Sequence, residues 1–69
     1  MITIKFQTGE QRRFKADSAA VKDNMLDLYV YTKDRSQLTR STSFDAKKIR
    51  CAFLDNGTYV IGSSETRYD

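Results

Sequence analysis

The 69-residue chain contains no His and a single Cys, Cys51. A nucleophilic Cys51 would need a base to hold its thiolate. Without His, neither a Cys-His pair nor a Ser-His-Asp triad can be assembled. In an apolar run between Arg50 and Ala52, Cys51 reads as a small buried hydrophobe. The same arithmetic removes His-ligated zinc and any internal disulfide. Acid–base work by carboxylates needs paired acids in a cleft. Asp23 with Asp27, and Asp45 with Asp55, are accounted for by turns and strand alternation. Gly9 and Gly57 have no phosphate-loop spacing, and Asn56-Gly57-Thr58 fits the glycosylation pattern but is explained by a hairpin turn. The expectation is a protein that is not an enzyme and uses no cofactor or metal.

What remains is cations, hydroxyls and aromatics. Lys and Arg exceed Asp and Glu by 12 to 9, and the excess is segmented. Residues 1–16 carry +3, 17–34 carry −2, 35–50 carry +4 and 51–69 carry −2. The first candidate partner-binding set is Lys5, Arg13 and Lys15 with Tyr29 and Tyr31. The cations would contact phosphate or carboxylate, and the tyrosines would stack or anchor. A second basic patch comprises Arg35, Arg40, Lys47, Lys48 and Arg50, interspersed with Ser36, Thr39, Ser41, Thr42 and Ser43. Both sets also suit an ordinary solvated face or a charged edge strand that discourages aggregation.

Period-2 alternation supplies the elements that position these residues. Ile2, Ile4 and Phe6 share one face of a first strand, which leads through a three-residue loop, Thr8 to Glu10, into Gln11–Ala16. That register pairs Ile4 with Phe14, Ile2 with Ala16 and Phe6 with Arg12. It sets Lys5 opposite Arg13 and Thr3 opposite Lys15, with Asp27 on a neighbouring strand as the counter-charge. Arg12 falls at the rim, its stem covering apolar surface. Residues 19–24 fit one helical turn, or a short strand turning at Asp23-Asn24. The strand is preferred because it pairs Val21 with Leu26 and Ala19 with Leu28. Strand 25–32 carries Leu26, Leu28 and Val30 on one face and Asp27, Tyr29 and Tyr31 on the other. After the polar loop Lys33–Ser36, residues 37–44 form a strand with Leu38, Thr42 and Phe44 in phase and Arg40 among them. A short helical turn is expected at 45–48. The last hairpin, 49–55 and 58–62, turns at Asn56-Gly57 as a type I′ turn, with Phe53 opposite Val60 and Leu54 opposite Tyr59. Residues 63–69 read as a flexible tail.

The fold expected is all-β, a single small domain over 1–69 built as an antiparallel barrel or roll of five to seven strands. The layout resembles small β-barrel modules such as SH3-like barrels, a likeness of fold that carries no function. No apolar run approaches the ~20 residues of a membrane span, and residues 1–5 alternate instead of forming a signal peptide. The expectation is a cytoplasmic chain without a membrane partner. The function expected is a non-enzymatic binding module that docks on another macromolecule, foremost a protein, as regulator, inhibitor or assembly adaptor. The alternative is nucleic-acid binding through the basic, tyrosine-containing face. A domain this small lacks a disulfide or metal to support its core, and the free edge expected at 37–44 adds a homodimer to the possible partners.

Overall fold

The computed structural model describes residues 1–62. The tail expected at 63–69 lies outside them. The described residues form seven strands: β1 (Ile2–Phe6), β2 (Gln11–Phe14), β3 (Ser18–Lys22), β4 (Met25–Tyr31), β5 (Leu38–Asp45), β6 (Ile49–Leu54) and β7 (Tyr59–Ile61). A 3₁₀ turn, Ala46–Lys48, joins β5 to β6, its first turn capped by the Asp45 carboxylate, which accepts from the Lys47 N–H at 3.0 Å. The strands pair antiparallel in two sheets, β2-β1-β6-β7 and β3-β4-β5. The result is a roll-like all-β sandwich, not a closed barrel.

The core is what the alternation requires. Ile2 and Ile4 of the first sheet and Leu26 and Leu28 of the second are fully buried, with Ala16, Ile49 and Ala52 filling between them. Each such Ile or Leu side chain stabilises the fold by about 1.5–3 kcal/mol relative to exposure. Since the even-numbered residues of β1 and β4 point inward, the odd-numbered ones point out from opposite sides of the sandwich.

The β3–β4 hairpin has the expected register, Val21 opposite Leu26 and Ala19 opposite Leu28. Its two-residue turn places Asp23 at φ 52 and Asn24 at φ 63, the double positive φ of a type I′ turn, which Asp and Asn tolerate. The hairpins of the first sheet differ from expectation. Phe6 N–H donates to Glu10 C=O at 2.8 Å and Gly9 N–H to Phe6 C=O at 3.0 Å. The three-residue loop is therefore Gln7 to Gly9, with Gly9 at φ +93 in its last position, where a type I turn followed by a left-handed residue needs glycine. Register moves by two: Ile2 faces Phe14, Thr3 faces Arg13, Ile4 faces Arg12 and Lys5 faces Gln11. The β6–β7 hairpin repeats the device. Leu54 N–H donates to Thr58 C=O and Gly57 N–H to Leu54 C=O. Asn56 is not among the residues with positive φ, so the turn is not type I′. Phe53 accordingly faces Tyr59, and Val60 is bulged out of the ladder.

Two more bulges redirect side chains. Between Lys5 and Phe6 the partner strand skips Arg50, so Cys51 faces Lys5 while Ile49 faces Phe6 and reaches the core. Between Leu28 and Tyr29 it skips Ser41. Phe44 and Thr42 face Leu26 and Leu28, whereas Arg40 faces Tyr29 and Leu38 faces Tyr31. Leu38 is therefore out of phase with Thr42 and Phe44, because the extra residue reverses the alternation.

Candidate functional site

Of the first candidate set, Lys5 and Arg13 do share the outer face of the first sheet. They are not directly opposed, because the two-residue shift puts Gln11 across from Lys5. The Arg13 guanidinium reaches both oxygens of Asp55, at 2.9 and 3.2 Å. Asp55 also receives the N-terminal ammonium at 3.6 Å. The counter-charge is thus Asp55 and not Asp27, which belongs to the other sheet. Lys15 follows β2, exposed, with no ion pair among the described residues.

Tyr29 and Tyr31 lie in β4, on the outer face of the second sheet. The sandwich therefore separates them from Lys5 and Arg13. It gives them other companions. Arg40 is directly opposite Tyr29, Leu38 is opposite Tyr31, and the Arg35 guanidinium stands 5.3 Å from the centre of the Tyr31 ring. Arg35 is held there by its loop. Thr32 N–H donates to Gln37 C=O at 2.9 Å and Arg35 N–H to Thr32 C=O at 2.8 Å, leaving Arg35 at φ 58. Inside the loop the Asp34 carboxylate accepts from Thr32 Oγ at 2.6 Å, Ser36 Oγ at 2.7 Å and Ser36 N–H at 3.1 Å. These hydrogen bonds, that of Thr32 foremost, lower the Asp34 pKa from 3.8 to about 2.

The face continues along the sheet to Asp27 and Met25. Asp27 is buried and accepts from Ser43 Oγ at 2.5 Å. Lys22, Met25, Asp27, Arg40 and Ser43 line an open hollow of about 690 Å³. Tyr31 and Leu38 remain 43% exposed at one end of this face and Met25 38% at the other. Among the described residues neither Arg35 nor Arg40 forms an ion pair.

The second basic patch is therefore divided. Arg35 and Arg40 stand with the tyrosines. Lys47 and Lys48 stand with Phe6, Phe44, Glu10 and Arg12 around a different hollow. Arg50, the bulged residue of β6, lines a small recess of about 120 Å³ with Lys5 and Gln11. Sequence reasoning leaves Leu38, Met25 and the phenylalanines out of the candidate sites. The phenylalanines and Leu38 match core alternation, and only the sheet assignments and the Ser41 bulge reveal which of them meet solvent.

Cys51 is buried, and a Cβ at Gly62 would stand 3.0 Å from its Cβ. Among the described residues no cluster of His, Cys, Asp and Glu could hold a metal, and no helix is long and apolar enough to cross a membrane. Comparison with protein-family models, curated proteins and solved structures returned no match. Any function must therefore be argued from the geometry of these faces.

Proposed function

We propose that the chain is a non-enzymatic docking module that binds a protein partner through the outer face of its second sheet. The observation that carries this is the pair of adjacent cross-strand couples, Tyr29 with Arg40 and Tyr31 with Leu38, with Arg35 held over Tyr31. Tyr and Arg are the residues most enriched at energetic hot spots, and Met is enriched at interfaces generally. Their ordering cost is low here. Tyr29, Tyr31, Leu38 and Arg40 sit on paired strands, and Arg35 on a loop tied down by Asp34. The partner's complementary patch carries carboxylates opposite Arg35 and Arg40 around an apolar centre.

Tyrosines interleaved with arginines also suit single-stranded nucleic acid. Asp23, Asp27 and Asp45 border the same face and offset Lys22, Arg35 and Arg40, so it has no cationic excess to release counter-ions from phosphates. A protein surface is the better fit.

Affinity capture from an extract of the source cells, with and without nuclease, tests the assignment. The wild-type chain should retain a protein that survives nuclease treatment, and the double variant Tyr31→Ala/Arg40→Glu should lose it while its circular dichroism spectrum is unchanged. Capture abolished by nuclease would move the assignment to nucleic acid. Equal capture by the variant would remove this face from consideration.

A further inference from the structure

The sandwich has an open side. β3 packs beside β7, but among the described residues β2 and β5, each the last strand of its sheet, have no strand between them. Their phenylalanines bring the two edges together. Phe44 of β5 lies 4.9 Å from Phe14 of β2 and 6.0 Å from Phe6 of β1, measured between ring centres. These rings are only half-buried and pack against the core, and Phe6 and Phe44 line a hollow of about 640 Å³. That volume is within the range of ligand-sized clefts. Its wall is apolar, from Phe6 and Phe44. Its rim is cationic, from Arg12, Lys47 and Lys48, against one acid, Glu10. Glu10 stands 3.6 Å from Arg12, whose guanidinium also lies 5.5 Å from the centre of the Phe14 ring. Among the described residues Lys47 and Lys48 have no ion pair.

We infer that this hollow is a second docking site, for an extended acidic segment of a protein that rests an apolar side chain against Phe6 and Phe44. The apolar wall calls for an aliphatic or aromatic side chain, and the unpaired lysines on its rim call for carboxylates on either side of it. An extended chain with acidic residues two positions to either side of the apolar one supplies both, because side chains two apart point the same way. β5 contributes Phe44 to the hollow, and among the described residues it has one edge unpaired, where an extended segment can add to the sheet. The site is separate from the tyrosine face and stands or falls independently of it. With both occupied, the chain bridges two protein surfaces.

The test is a heteronuclear NMR titration of the full ¹⁵N-labelled chain. The probes are a short capped peptide with glutamates two residues to either side of a phenylalanine, its lysine-for-glutamate counterpart, and a short oligothymidine. The glutamate peptide should shift the amides of Phe6, Arg12, Phe44, Lys47 and Lys48 and leave Tyr29 and Tyr31 in place. In a Lys47→Glu/Lys48→Glu variant whose spectrum remains dispersed, its apparent Kd should weaken by about tenfold or more. Absence of shifts at millimolar peptide, equal shifts with the lysine peptide, or an unaltered Kd in the variant would each overturn the inference. So would tighter binding of oligothymidine at the same residues, which would make the site one for nucleic acid.

Discussion

Replacing Gly9 by alanine should destabilise the fold through the backbone alone. Gly9 has φ +93 in the last position of the β1–β2 loop, and a Cβ added there meets nothing within 4 Å. An L-residue in left-handed space costs about 1–2 kcal/mol, partly offset by about 0.4–1 kcal/mol because alanine restricts the unfolded chain. The net loss is about 1 kcal/mol, or about 4–8 °C in Tm for a domain this small. Gly57 should behave alike, since it has φ +90, the same loop position and the same open surroundings. Gly62→Ala should cost more. Its Cβ would approach Cys51 Cβ to 3.0 Å and Arg50 C=O to 3.4 Å, both fixed on β6, adding roughly 1–3 kcal/mol of overpacking. Gly9→Asn should recover part of the loss, because Asn tolerates left-handed φ. Urea unfolding followed by circular dichroism measures the series. A neutral or stabilising Gly9→Ala, or equal losses at Gly9 and Gly62, would refute the loop assignment and the register built on it.

Two further outcomes follow from the second sheet. Ser43→Ala removes the hydroxyl donor to the buried Asp27 carboxylate and should cost about 1–3 kcal/mol in the same urea assay. The Asp34 carboxyl should titrate near 2 in ¹³C NMR and move up toward 3.8 in Ser36→Ala, which removes one of its donors. Because the folded pKa lies below the unfolded one, the contribution of Asp34 is present above pH 3.8 and is lost as pH falls toward about 2.

Much of the fold is legible in the residue pattern. Alternation identifies Ile2, Ile4, Leu26 and Leu28 as core and gives the β3–β4 register outright, because Asp23-Asn24 closes a two-residue turn that leaves one pairing with Val21 and Leu26 on the same face. It also identifies Tyr29 and Tyr31 as outward-facing. The companions of those tyrosines are not legible. Arg40 looks in phase with Phe44 along the chain, and nothing in Ser41 announces the extra residue that turns Arg40 and Leu38 to the other side.

Composition and alternation are enough to set the class of the protein: an all-β chain with no His and a single Cys, and with its charge in alternating blocks. Which charges stand together is settled only when the strands assemble. Lys5 and Arg13 go to one sheet and Tyr29, Tyr31, Arg35 and Arg40 to the other, while Arg12, Lys47 and Lys48 gather around three phenylalanines at the open side. The reason lies in the period of a strand. Alternation of two says which residues of one strand share a face. A two-residue slip leaves that pattern unchanged, a one-residue bulge reverses it without a mark in composition, and neither the slip nor the bulge says which sheet the strand will join.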